Sequence, residues 1–486
     1  ISEAGKISIN RSKLIEFLHI TGGFSLYYYD NQSTIFKIVQ CKDGFIEDVS
    51  SEHIKKFILN YIRSLPETFD NNITPDEIQE LVLKGADAFF SNGLMEFLAR
   101  GSFDFLKDTE KEAFFTFRNG VVRVTVDKIE LLSYGELKKV IWKSQIIDFT
   151  IGIEREMDFT LVEYMRFIDK ISAGDPDRRE YALTLIGYLL HKYKDPTKAF
   201  AVILAEETED EKDGGGTGKG IFFKAISKII NTVIIDGKAF KQDKSFAFQR
   251  VGLDTRLVVL EDVRKNVDFE GFYPMITEGM TVEKKNKDEL FIPYADSPKI
   301  GFTTNYNVNA VGNHGKRRQK VFEFAPFFHP GNTPEDFFGH KLFDDWDTDE
   351  WNRFYNLLFV SVQAYLEGGV REVVNSEKIK RKQIRLNFGE DFLEWFDDFI
   401  AGNMNQPKML SELHRDYLNT YSSTEKDFSN KRMKAALVFC TGIFGLKLTI
   451  RKNRQAGGGR EIVVTKMGEE IAPEKDMISN SAPQMF

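Results

Sequence analysis

The chain has 486 residues, of which 42% are hydrophobic and 29% charged, and its formal charge is −8. That length is too great for one ordinary core and predicts two to four domains, while the composition argues against a disordered chain and the acidic balance against a protein coated with nucleic acid, although local basic surfaces remain open. Only Cys41 and Cys440 are present, without metal-ligand spacing, which disfavours a disulfide framework or zinc site and makes a reducing compartment, the cytoplasm, the expected location.

No run approaches the roughly eighteen apolar residues that span a bilayer, so no membrane partner is expected. The first residue is Ile1, with neither an initiator Met nor a signal-peptide pattern, as expected of an excised fragment or the ordered part of a longer protein. In chain order, Phe24–Tyr29 and Ser33–Val39 read as a hairpin around a polar turn. His53–Ser64 carries apolar residues at helical spacing, and Thr74-Pro75 caps a helix expected to run towards Phe90 and stop by Asn92-Gly93. A second hairpin, Phe114–Phe117 and Val121–Val126, should turn on Asn119-Gly120 with a positive-φ pair. Residues 159–193 read as two helices separated by Gly174-Asp-Pro176, and His53 and His191 are read as ordinary residues rather than ligands.

The next stretch is organised around Asp213-Gly-Gly-Gly-Thr-Gly-Lys219-Gly220, between the apolar run Phe200–Leu204 and the amphipathic Ile221–Ile230. Strand, glycine loop and helix in that order let backbone N–H groups and a helix N-terminus wrap phosphate oxygens while a lysine neutralises them. Candidate nucleotide-binding residues are Gly214, Gly215, Gly216, Thr217, Gly218, Lys219 and Gly220. Asp213 stands where the motif's first glycine belongs, and Gly220 replaces the hydroxyl residue that normally ligates Mg²⁺. The acidic run Glu206–Asp213 before the loop reads as solvated.

Three further anchors follow. Thr232–Ile235 reads as a buried strand, and Arg256–Leu260 as another that ends in Glu261 and Asp262, carboxylates suited to holding Mg²⁺ and polarising a water. Pro298–Asn305 is a strand ending in an amide that could orient an attacking water, and Arg317 and Arg318 precede the β-like run to Phe324.

Glycine-lysine loop, strand with paired acids, strand ending in Asn and then Arg together resemble the superfamily III helicases, AAA+ hexameric helicases, and within them the phage and poxvirus type primase-helicases. The core resemblance covers about residues 196–330. It implies that Lys219 binds the β- and γ-phosphates of ATP, that Glu261 and Asp262 handle Mg²⁺ and the catalytic water, and that Asn305 senses the γ-phosphate. Arg318, with Arg317 as runner-up, would be a finger completing the site of a neighbouring copy. The family's hairpin motif falls at Thr277–Lys287, where Lys284, Lys285, Asn286 and Lys287 would grip single-stranded DNA in the ring's channel.

The C-terminal part reads as a helical region, then helices over Gln406–Tyr417 and Phe428–Phe439 and a hairpin over Leu446–Val464, which together suggest a winged helix. Residues 428–467 carry nine Lys or Arg against the single Glu461. Lys431, Arg432, Lys434, Arg451, Lys452 and Arg454 are candidate phosphate contacts for DNA.

The expected fold class is α/β: an AAA+ P-loop NTPase core (196–330) preceded by an N-terminal α+β domain (1–158) and a helical collar (159–195). A helical region (331–404), a winged-helix-like domain (405–468) and a flexible tail (469–486) follow. The expected function is an ATP-dependent, ring-forming DNA helicase motor of a phage or mobile-element replication system in a bacterial or phage-infected cell. ATP and Mg²⁺ would be its cofactors, and single-stranded or forked DNA, a hexamer of itself and a fused or separate primase its partners. The alternative is a non-hydrolysing AAA+-like DNA-binding assembly factor or replication initiator.

Overall fold

The computed structural model describes residues 7–28, 36–68, 72–207, 216–240, 246–265, 267–283, 285, 289–306, 317–373, 377–421, 426–452 and 459–466. The chain divides into two units, Ile1–Glu372 and Val373–Phe486, and the dividing point falls inside the span 331–404 expected as one helical region.

The first unit begins with α1 (Arg11–Ile20) and an antiparallel meander of β1 (Phe24–Tyr28), β2 (Phe36–Lys42) and β3 (Phe45–Asp48). The helix α2 (Ser51–Arg63) turns Ile54, Ile58 and Ile62, four residues apart, into the cluster built on Leu18, Phe24 and Leu26. His53 belongs to the cap of this helix, its Nδ1 lying 3.0 Å from Ser50 Oγ. Thr74 caps α3 (Pro75–Lys84) with a capping box; the helix is interrupted at Gly85 and resumes over Ala86–Phe89, so helical structure does run towards Phe90 as expected. That helical stretch stops before Asn92-Gly93 as expected, and a separate short helix, Asn92–Met95, opens there, because Ser91 Oγ accepts from Leu94 N at 3.3 Å and caps it.

The second hairpin, β4 (Ala113–Phe117) and β5 (Gly120–Val124), pairs Phe117 with Gly120, so its loop is Arg118-Asn119 and only Gly120 has a positive φ. Asn119 is instead held by Ile151, to whose carbonyl it donates at 2.9 Å and from whose N–H it accepts at 3.0 Å. β6 (Ile129–Leu132) completes this sheet, and β7 (Ile141–Trp142) joins β3 in parallel. Cys440 is buried and Cys41 partly so, and both are free thiols.

Helices α4 (Glu163–Ile171) and α5 (Pro176–Leu190) lead into β8 (Ala201–Glu206), all six of whose residues are buried. The helix α6 (Lys219–Ser227) and the strands β9 (Thr232–Asp236) and β10 (Leu257–Glu261) follow. An antiparallel ribbon, β11 (Gly279–Val282) and β12 (Leu290–Pro293), comes before β13 (Lys299–Thr303) and β14 (Gln319–Phe324). Five of these strands form one parallel sheet in the order β14-β8-β13-β10-β9. The three inner strands, β8, β13 and β10, are buried on both faces and read as largely apolar runs without alternation, whereas the edge strands β14 and β9 are only partly buried.

One face packs Ile203, Val258, Leu260, Ile300 and Phe302 against Phe248, Phe272, Ile276, Met280 and Ile292. On α6, Phe223 lies so close to Gly301 that a Cβ there would stand 2.6 Å from its ring, which is why β13 carries a glycine in its middle. Each fully buried Val, Leu, Ile or Phe contributes roughly 1.5–3 kcal/mol, so this core fixes the sheet. The long helix α7 (Thr348–Gly368) packs on α5 and closes the unit.

In the second unit, α8 (Glu377–Phe388) and α9 (Glu390–Asn403) precede β15 (Lys408–Met409), α10 (Leu410–Thr420), α11 (Asn430–Ile443) and a ribbon of β16 (Leu446–Lys452) with β17 (Arg460–Lys466). Their core is built on Phe392, Phe396, Leu413, Leu437, Cys440, Ile462 and Val464. The helix expected from Gln406 starts at Leu410, because Lys408 and Met409 pair with Ile462 and Glu461 and make a three-stranded sheet of the expected two-stranded hairpin.

Candidate functional site

Parallel strands bring their carboxyl ends to one edge, where loops and helix N-termini converge. β13 lies between β8 and β10. The loop after β8, the residues after β13 and the acids ending β10 therefore meet along that edge. Gly216 and Gly218 have φ of 75° and 88°, the left-handed region that glycine alone enters without strain. At Gly218 a Cβ would also stand 2.8 Å from the Phe167 ring of α4. Gly214 and Gly215 lie outside the described residues.

Lys219 opens α6 and is only 6% exposed. Its ammonium donates to Glu206 Oε1, and also to Thr217 Oγ1 at 3.2 Å; Thr217 Oγ1 in turn donates to Glu206 Oε1 at 3.0 Å. Burial holds the Lys219 ammonium below its usual pKa, while Glu206 first and Asp262 second act to keep it protonated. The expectation of a solvated run from Glu206 is thus corrected at its first two residues. Glu206 is buried, and the neighbouring Glu207 pairs with Arg178 at 2.9 Å, both side chains being 13% exposed. The buried Lys219 and the partly buried Arg178 claim them, while 208–213 lie outside the described residues.

Glu261 faces the loop: a Cβ placed on Gly220 would stand 3.7 Å from Glu261 Oε1 and, among the described residues, meet nothing else within 4 Å beyond its own chain neighbours and helix backbone. Burial, then the charge of Asp262, raises the Glu261 carboxyl above its usual range. Asp262 has φ 53°, a conformation aspartate tolerates better than most residues, and its N–H donates to Thr303 Oγ1 at 2.8 Å. Thr304 Oγ1 donates to Val263 O at 3.1 Å, so β13 anchors the acid-bearing turn. Asn305, just beyond β13, is half-buried, and its Oδ1 has no hydrogen-bond partner among the described residues.

The other candidates lie elsewhere. Arg317 and Arg318 precede β14, whose Gln319 pairs with Ala201 at the start of β8 while Phe324 pairs with Glu206 at its end. They therefore sit at the opposite edge of the sheet from Lys219, about 17 Å away along the strand at roughly 3.4 Å per residue. Arg317 is exposed; the Arg318 guanidinium lies 4.9 Å from the Tyr273 ring centroid, with its Nε buried and without a hydrogen-bond partner among the described residues. Lys285 is an exposed turn residue between β11 and β12, and Lys284, Asn286 and Lys287 fall outside the described residues. In the second unit Lys431, Arg432, Arg451 and Lys452 are exposed and Lys434 is partly so, while Arg454 is outside the described residues. Arg432 also donates to Asp427 O at 3.2 Å and sits 5.1 Å from the Phe428 ring centroid.

Sequence reasoning missed Glu206. An acidic residue ending an apolar strand just before the glycine loop was the available signal, hidden inside a longer charge run. It also passed over a cavity of about 1230 Å³ that shares no lining residue with the loop. Tyr188, His191, Lys194, Tyr294 and Lys299 line it. Lys299 is buried there with its ammonium on the carbonyls of Tyr188 and His191, and burial, with Arg256 nearby, lowers Lys194 to about 7.

Among the described residues no helix is long and apolar enough to cross a membrane. No protein-family model and no curated protein sequence matches the chain. Among solved structures, the A-form apo structure of the NrS-1 C-terminal region aligns over 93% of this chain and 99% of its own, at 16% identity and a TM-score of 0.40. A second apo structure of that region aligns over 94% and 99%, at 15% identity and a TM-score of 0.41.

Proposed function

We propose that this chain is an ATP-driven DNA helicase motor with an AAA+ core of the superfamily III type, acting in replication of a phage or mobile element. The observation that carries this reading is the juxtaposition at one sheet edge of Lys219 on the glycine loop, the Glu261 carboxylate against Gly220, and Asp262. In this reading Lys219 binds the β- and γ-phosphates, backed by the N–H groups opening α6. Gly220 supplies no hydroxyl, but the space beside it is faced by the longer glutamate arm, so Glu261 and Asp262 fit as the protein's ligands for Mg²⁺. Bound Mg²⁺ supplies charge neutralisation to the phosphate oxygens. Asn305, with its unpaired Oδ1, orients water beside the γ-phosphate, and Asp262 accepts its proton.

Arg317 and Arg318 precede an edge strand, at the far end of the sheet from Lys219, so a finger role requires a second copy of the chain. That requirement agrees with a ring, a hexamer in the family this chain resembles. Helices α4 and α5 would serve as its collar. The ribbon β11–β12 presents Lys285 to one DNA strand. The second unit, read as a winged helix, adds phosphate contacts from Lys431, Lys434, Arg451 and Lys452.

ATP hydrolysis stimulated by single-stranded DNA, together with strand displacement on forked DNA, is the expected outcome. The lack of a hydroxyl-bearing side chain at position 220 favours the second reading, a non-hydrolysing DNA-binding assembly factor or initiator. A purified oligomer that binds DNA but turns over no ATP with Mg²⁺ would select that reading.

A further inference from the structure

We infer that Glu206 is a built-in competitor of the nucleotide phosphates, holding the Lys219 ammonium in the nucleotide-free protein and yielding it when phosphate arrives. The inference deepens the nucleotide reading of the loop and rests on it. Three buried side chains close a ring: Glu206 at 3% exposure, Thr217 at 7% and Lys219 at 6%. One carboxylate oxygen, Glu206 Oε1, accepts from both the ammonium and the Thr217 hydroxyl. The donors a phosphate oxygen would use are therefore already engaged, and by an anion.

A triphosphate bound at Lys219 would face this buried carboxylate at close range, where low dielectric leaves like-charge repulsion poorly screened. Both cannot hold the ammonium fully. Neutralising the pair also removes the loop's net positive charge, so the backbone N–H groups alone attract the ligand until Glu206 withdraws.

The position of Glu206 gives the exchange a route outward. It is the last residue of β8, and the next residue, Glu207, is tied to Arg178 of α5 at 2.9 Å. Arg178 donates in turn to Glu323 O of β14 at 2.6 Å, and Glu207 N donates to Phe324 O at 2.9 Å. Displacement of the Glu206 side chain thus bears on a backbone joint shared by the nucleotide loop, α5 and the edge strand that Arg318 precedes at its other end.

The test compares binding of ATP and of inorganic tripolyphosphate to wild type, Glu206→Gln and Glu206→Asp by titration calorimetry, without reference to turnover. A charge-assisted hydrogen bond of roughly 1.5–3 kcal/mol converts to about tenfold or more, so Glu206→Gln should lower Kd for both probes by at least about tenfold. Glu206→Asp, which keeps the charge on a shorter arm, should bind with intermediate affinity and serves if the glutamine variant fails to fold. Wild-type binding with equal or weaker binding by both variants would overturn the competitor role while leaving the nucleotide reading intact. Failure of all three proteins to bind either probe would overturn both.

Discussion

Lys219→Ala is the natural substitution for silencing the proposed motor, and the surroundings of Lys219 predict a structural cost beyond lost phosphate binding. Removing the ammonium strands a carboxylate whose side chain is 2% exposed, with the Thr217 hydroxyl as its remaining partner. Breaking a buried pair from one side costs about 3–5 kcal/mol, mostly through the charge left behind. At roughly 2 °C per kcal/mol for a large domain, Lys219→Ala should melt about 6–10 °C below wild type. Adding Glu206→Gln replaces the stranded charge with an amide that Thr217 can still bond, and should recover more than half of that loss without restoring ATP hydrolysis. Scanning calorimetry of the full chain, read beside a phosphate-release assay, separates the two effects. If Lys219→Ala melts within about 1 °C of wild type, or if the second substitution lowers the transition further, the pair is not the buried, mutually dependent one described here.

Gly218→Ala should destabilise the loop by about 1–3 kcal/mol, because it imposes a left-handed φ of 88° on a residue with a Cβ and presses that Cβ onto Phe167; a wild-type melting temperature would contradict the loop geometry. Burial, then Asp262, raises the Glu261 carboxyl above its usual range in the metal-free protein, so Mg²⁺ binding, which needs the ionised form, should weaken on acidification before the ordinary carboxylate range is reached. Mg²⁺ affinity that holds unchanged down to that range would remove Glu261 from the ligands. Lys194 is lowered from 10.5 to about 7 by burial and Arg256, so between those values the unfolded chain binds the extra proton and stability should rise with pH. Lys194→Met should flatten that rise in urea titrations, and an unchanged slope would deny the shift. Lys285→Ala should leave basal hydrolysis within about twofold of wild type while weakening its stimulation by single-stranded DNA, the signature of a sequence-independent phosphate contact; equal loss of both would count against the channel assignment.

Much of this chain was legible because its local signals are strong. Thr74-Pro75, Asp175-Pro176 and the isoleucines of α2 each name a helix start or a buried face through capping chemistry or spacing alone. The apolar runs at Ala201–Glu206, Leu257–Glu261 and Lys299–Thr303 announce buried strands, and the glycines at 216 and 218 announce a loop that only they can form. Where the reading slipped, a competing contact had won: β17 drew Lys408-Met409 into a sheet, and Lys219 and Arg178 drew Glu206 and Glu207 out of the solvated run.

Sequence by itself therefore determined the elements, the glycine-lysine loop and the acids at 261 and 262, since each is written in residues adjacent along the chain. Only the tertiary structure decided that β13 stands between β8 and β10, that Glu206 turns inward to Lys219, and that Arg318 lies at the far edge of the sheet. Strand order and the partner of a buried charge depend on contacts between residues far apart in the chain, which no local pattern encodes.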